Sequence, residues 1–164
     1  MYYSLQKGEL QQMELYQQEE DKIPVQLTYA NFWIRFVALL IDSLFTSALV
    51  ALALLVLGLP LVADIADLES RLKMNMIGVV VGWLYYAGFE SSPYQATPGK
   101  QAMGIFVTDL EGYPIPFARA TGRFFGKLLS GLILLLGYIM AAFTPRRQAL
   151  HDLLAGTLVL KLPR

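Results

Sequence analysis

Between Phe32 and Val62 the chain is almost wholly apolar, interrupted by two charges, Arg35 and Asp42. About 20 such residues in a helix suffice to cross the ~30 Å hydrocarbon core of a bilayer. The run therefore predicts a first transmembrane helix, with Trp33 near its start, where an indole ring can rest among headgroups, and with Gly58 and Pro60 marking its end. Composition agrees: 55% of the 164 residues are hydrophobic and 16% are charged, with a mean hydropathy of +0.47. Lipid is the expected solvent for much of this chain.

A second apolar run, Met74 to Phe89, follows a short charged connector from Asp64 to Lys73 and carries Trp83, Tyr85 and Tyr86 toward its end. It predicts a second span. Gly78 and Gly82, four residues apart, share a helix face on which another helix backbone could come close. Residues Ser91 to Pro116 are rich in turn formers, and Gly104 to Thr108 has the β-branched and aromatic character of a strand, closed by a turn at Asp109 to Gly112. Thr157 to Lys161 has the same character, so the two strands are expected to pair as a small β-like cytoplasmic cap. Between them, Phe117 to Phe143 begins with Arg119, Arg123 and Lys127 at steps of four, which reads as a basic helix face lying against anionic headgroups. Its second half, Leu128 to Phe143, is a hydrophobic run of 16 residues broken by Gly131 and Gly137, short for a full span.

Thirteen Lys and Arg balance thirteen Asp and Glu, so net charge gives no footprint for nucleic acid. Their distribution matters more. With two full spans and the N-terminus inside, a third segment that enters and returns leaves eleven basic residues on the inner side against Arg71 and Lys73 outside, whereas a full crossing splits them seven to six. The positive-inside rule favours the returning, broken or re-entrant third segment and places both termini in the cytoplasm. Residues 1–29 are polar and rich in Gln and acidic side chains, the composition of a solvated segment rather than of a signal peptide.

Asp42 follows Arg35 by seven residues, so on a helix the two point nearly the same way, ~10.5 Å apart along the axis; Asn31 and Thr46 extend the stripe. Side chains lean toward the helix N-terminus, so Arg35 leans away from Asp42 and each requires a partner elsewhere. An intramembrane aspartate costs ~2.5–3.5 kcal/mol on insertion scales. Two readings stay open: Asp42 binds a proton or monovalent cation with Arg35 as anchor, or Arg35 holds a lipid phosphate while Asp42 makes a structural contact. Glu90, closing the second span, could meet Arg35 at the inner interface. Thr97-Pro98-Gly99-Lys100 lacks the spacing of a phosphate loop and reads as a turn. His151 beside Asp152 is the one histidine, and with no cysteine a metal site would lack ligands. Arg146 and Arg147, with Lys161, read as a headgroup-facing patch. The absence of a nucleophile elbow or cofactor motif argues against an enzyme.

The residues Phe32-Trp33-Ile34-Arg35-Phe36 with Asp42, then Glu90, then Thr97 to Lys100, then Pro145 to Thr157 including Asp152, occur in an order similar to that of the RDD family, named for one arginine and two aspartates. The resemblance covers roughly residues 30 to 161. It implies an all-α membrane protein of about three hydrophobic helices, for whose members transport of unidentified ligands and cation/proton antiport have been suggested. On that reading the ion- or proton-binding candidates are Asp42, Glu90 and Asp152, the anchoring charges are Arg35, Arg119, Arg123, Arg146 and Arg147, and no cofactor is expected. The chain would sit in a bacterial inner membrane as a homo-oligomer, since two or three helices cannot enclose an aqueous path. A non-transporting scaffold or interaction module is the alternative.

Overall fold

The computed structural model describes residues 27–62, 67–132 and 136–162. The polar segment expected over residues 1–29 lies outside them as far as residue 26, and Thr28–Tyr29 form the first strand, β1.

Helix α1, Phe32–Val56, opens on Asn31, whose side chain accepts a hydrogen bond from the Ile34 amide at 2.9 Å. Its 25 residues make it about 37 Å long at 1.5 Å per residue. It ends six residues before the apolar run does. Gly58 adopts φ +67°, the Leu59 amide reaches back to the Leu54 carbonyl and the Gly58 amide to that of Leu55, the paired bonds that stop a helix at a left-handed glycine. Among the described helices α1 is the one long and apolar enough to cross a membrane by length and composition. Leu44, Leu52, Leu55 and Val56 are more than half exposed. Apolar surface left bare on that scale marks contact with something other than water.

Helix α2, Leu68–Glu90, starts inside the expected connector. The Asp67 side chain caps the amides of Glu69 and Ser70 at 3.0 and 3.2 Å, so the charged residues up to Lys73 form its first turns; Asp64 lies outside the described residues. Glu69 and Lys73 pair at 2.6 Å across one turn, in full solvent exposure where such a pair adds little. Of the two glycines on one face, Gly82 lies against the Phe124 ring and Gly78 has open space beside it.

Three further helices, α3 (Pro98–Ala102), α4 (Phe117–Leu132) and α5 (Leu136–Ile139, continued by a 3-10 turn over Met140–Ala142), precede α6, Leu150–Ala155. Residues 133–135, between α4 and α5, lie outside the described residues. The Tyr138 hydroxyl donates to the Lys127 carbonyl at 3.3 Å and Gly137 sits tight against Ser130, so α5 packs back on α4 instead of prolonging it.

The strands β2, Ile105–Asp109, and β3, Thr157–Lys161, pair antiparallel as expected, with Val107 opposite Val159 and Asp109 opposite Thr157. β1 adds on the other edge, Thr28 opposite Lys161, leaving β3 in the centre. The buried core is built largely from small or branched residues, Ala30, Ala38, Ala87 and Ala120 with Ile105, Val107, Ile115 and Val159. Alanines at helix contacts let the backbones, and the polar side chains they carry, come close.

Candidate functional site

Among the described residues three carboxylates end up fully buried, Asp42 on α1, Glu90 at the end of α2 and Asp152 on α6. Four cations face them: Arg35 on α1, Lys100 on α3, and Arg123 and Lys127 one turn apart on α4. Burying an ion costs several kcal/mol unless its partners are close and its lone pairs are used. The geometry meets that condition at each acid.

Asp152 receives Arg35 Nη1 on Oδ2, and Arg123 Nη2 and Nε on Oδ1 at 2.6 and 3.0 Å. Its Oδ2 also caps its own helix by accepting the Ala149 amide at 3.0 Å. Burial opposes this charge, but Arg123 and Arg35 outweigh it and hold the carboxyl well below the usual range. Glu90 takes two ammonium groups on one oxygen, Lys100 at 2.6 Å and Lys127 at 2.8 Å, and Arg123 Nη1 on the other at 3.1 Å. Arg123 thus bridges the two acids. Lys127 also lies 4.0 Å from the centre of the Tyr86 ring.

Asp42 is held differently. The Tyr85 hydroxyl and the Gly99 amide donate to Oδ1, each at 2.8 Å, and the Thr97 hydroxyl donates to Oδ2 at 2.6 Å. Every donor is neutral. Among the described residues no ion pair forms at Asp42. A Cβ on Gly99 would lie 2.7 Å from the Asp42 carboxyl carbon and closer still to the Ala38 carbonyl oxygen, so this approach requires glycine.

Several expectations change in consequence. Arg35 does meet a distant acid, but it is Asp152 and not Glu90. The stripe Arg119, Arg123, Lys127 does not present one face to headgroups, because Arg123 and Lys127 turn inward onto buried acids. Arg119, one turn earlier, stays at the surface and reaches Asp109 at 3.6 Å. Thr97-Pro98-Gly99-Lys100 is no plain turn: Thr97 stands at the N-cap position of α3 with its hydroxyl turned to Asp42, Pro98 occupies the first helical position, and this stretch delivers two donors to Asp42 and a cation to Glu90. Arg146 and Arg147 are exposed, as expected of a surface patch.

Lys100, Lys127, Tyr85, Thr97 and Gly99 are members of the site that the sequence reading named only in other parts, Lys127 in a headgroup-facing stripe, Thr97 to Lys100 in a turn and Tyr85 near the end of the second apolar run. Thr followed by Pro is a helix-start signal, and weighing it would have marked α3 where the sequence reading has a turn. Burial pushes the Lys100 ammonium down to about 7, with Arg123 and Lys127 acting in the same direction against the pull of Glu90. His151, 5% exposed, is driven by burial to about 3 and is therefore neutral. Its Nε2 stands 3.5 Å from Asp152 Oδ1. Among the described residues no group of three or more His, Asp or Glu side chains is placed to hold a metal ion.

An exposed apolar helix joined by the Arg35–Asp152 ion pair to the short helix that leads into a three-stranded sheet is the architecture of a membrane protein with a small cap. The chain belongs to the RDD family, whose model matches residues 29–156. It is similar to the uncharacterized protein YxaI of Bacillus subtilis (strain 168), 30% identical over 145 residues that cover 79% of this chain and 95% of the relative. The uncharacterized membrane protein YteJ of the same organism is 30% identical over 139 residues, 80% of either chain. An uncharacterized protein of Haemophilus influenzae is 34% identical over 89 residues, half of this chain and 57% of its own. No solved structure matches.

Proposed function

We propose that the protein is a transport-type component of a bacterial inner membrane that exchanges protons, with or without a monovalent cation, at the Glu90, Lys100 and Lys127 centre. The observation that carries this reading is the crowding of two ammonium groups onto one oxygen of Glu90 beside the Arg123 guanidinium. Four cations, Arg35, Lys100, Arg123 and Lys127, meet two carboxylates, Glu90 and Asp152, and Lys100, poised at about 7, is the group that can reduce that excess of positive charge. Asp42 fits the part of a lock. Three neutral donors from α2 and the start of α3 converge on it, so Asp42 holds α3 on α1 while Lys100, next to Gly99, titrates.

Both termini are assigned to the cytoplasm on charge bias, with the broken third segment returning to that face, and a homo-oligomer supplies the walls that so few helices cannot. The test is proton and monovalent-cation flux in proteoliposomes across pH 6 to 8. Flux with a midpoint near 7, abolished in Lys100→Arg, where the charge cannot be lost, supports exchange. Flux indistinguishable from empty vesicles supports a scaffold instead, a reading favoured by the complete pairing of Asp42 and Glu90.

A further inference from the structure

A cavity of about 270 Å³ opens between α1, α4, α5 and α6. Its wall follows one face of α1 through Phe32, Arg35, Phe36, Leu39 and Asp42, about 15 Å at 1.5 Å per residue. Phe36, Leu39 and Ile139 are each about 40% exposed, so the cavity gives onto the surface that α1 turns outward. Lys100 and Lys127 line it as well, beside Tyr86 and Tyr138. These lysines keep 11% and 12% of their side-chain surface accessible, whereas Glu90, the acid both serve, is fully buried and does not form part of the wall.

The wall favours an anion with a hydrocarbon tail. An ammonium group has three N–H donors. Lys100 and Lys127 each give one to Glu90 Oε1, at 2.6 and 2.8 Å, and Lys127 turns another side to the Tyr86 ring, so at least one donor is left on each. Two nitrogens held on one oxygen are also close enough together for a second carboxylate to bridge them. Arg35, Lys100, Arg123 and Lys127 outnumber Glu90 and Asp152, and they still outnumber the acids when Asp42, which pairs with none of them, is counted. A cation is repelled from such surroundings and an anion drawn in. The rest of the wall is aliphatic and aromatic. A void of about 150 Å³ holds a benzene ring, so this one has the size for a single chain of about ten carbons.

We propose that the cavity between α1, α4, α5 and α6 binds a single-chain monocarboxylate, its carboxylate bridging Lys100 and Lys127 and its chain running past Phe36, Leu39 and Ile139 toward the bilayer. The assignment gives the proton an anion as companion in place of a monovalent cation, and it rests on the exchange reading for what the bound anion does; binding itself is measured without flux. Lys100 faces Glu90 from α2 and Arg123 and Lys127 from α4, and shares the cavity wall with Arg35 and Asp42 from α1 and His151 from α6. Loss of its proton near 7 removes one of the two ammonium groups that hold the carboxylate, so affinity falls as pH rises through that value.

The experiment is equilibrium dialysis of the full chain in phosphatidylcholine nanodiscs against radiolabelled decanoate, with empty nanodiscs as background. At pH 6 one decanoate should be held per chain, at least about tenfold more tightly than decanol or decyltrimethylammonium, the worth of one charge-assisted hydrogen bond. Between pH 6 and pH 8 the affinity should fall by up to about tenfold, the change in the protonated fraction of a group near 7. Lys100→Arg, whose charge cannot be lost, should bind equally at both pH values while its flux is gone. Leu39→Trp, which fills the apolar part without touching the ion pairs, should abolish binding; Ile139→Trp serves if that variant does not fold. Decanol or decyltrimethylammonium held as firmly as decanoate, or binding undiminished in a folded tryptophan variant, would overturn the assignment. Decanoate bound without flux would sink the exchange reading and leave the site standing, and flux without bound decanoate would do the reverse.

Discussion

Arg35 and Asp152 stand 117 residues apart in sequence and meet in a direct ion pair, which joins the first turn of the apolar helix α1 to the short helix α6 just before β3. Asp152 serves Arg123 as well, so the two ends of this bond are not equivalent.

Removing Asp152 strands the Arg35 guanidinium and takes from Arg123 one of its two acids, whereas removing Arg35 leaves Asp152 with Arg123. Asp152→Asn should therefore cost about 3–5 kcal/mol, the range for breaking a buried pair, and Arg35→Met distinctly less. Thermal unfolding of both variants in the same detergent ranks them; equal losses would mean that Arg123 does not share the acid.

Asp42→Asn should destabilise by about 1–3 kcal/mol, because an amide nitrogen turned toward Thr97, Tyr85 or Gly99 meets a donor where the carboxylate met it as an acceptor. Gly99→Ala should be worse, since its methyl group meets backbone as well as carboxylate and neither can move aside cheaply. If Gly99→Ala unfolds at the wild-type temperature, α3 does not sit on Asp42.

How much of this could be read in advance depends on where each partner comes from. The apolar helix, the two paired strands and the requirement that Arg35 and Asp42 find partners off their own helix follow from local pattern and from side-chain direction. The inward turn of Arg123 and Lys127 does not. A stripe at steps of four identifies a face but not its surroundings, and the deciding acid, Glu90, is 33 residues from Arg123 and 37 from Lys127. The end of α1 was legible as well: Gly58, expected to mark it, follows the cap residue Leu57 and takes φ +67°.

Acid should weaken the fold in two stages. Below pH 6.5 the unfolded chain protonates His151 while the folded chain, with this group near 3, does not, so stability falls as pH drops from 6.5 toward 3. Asp152 behaves in the usual carboxylate sense: its contribution is present above 3.8 and fades as pH falls below that value. His151→Gln should flatten the first stage and leave the second. Unfolding temperature followed from pH 7 to pH 3 reads both.

The chain contains no cysteine, so single cysteines report sidedness cleanly. Introduced at Ser4 and at the exposed Arg146, they should react alike with an impermeant thiol reagent, and one at Glu69 should react from the opposite face. Opposite reaction at Ser4 and Arg146 would mean that the third hydrophobic segment crosses fully.

The central place of β3 bears on how the protein is made. β1 and β2 have no contact as neighbours in the sheet; each is held through β3, which leaves the ribosome after both of them. Arg35 likewise reaches the bilayer well before Asp152 has been synthesised. A nascent chain therefore carries an unneutralised guanidinium and two unzipped strands until the same late stretch, residues 152–161, supplies the remedy for both. Insertion and closure are separated in time, and any factor that shields a young membrane chain would find its target in that interval.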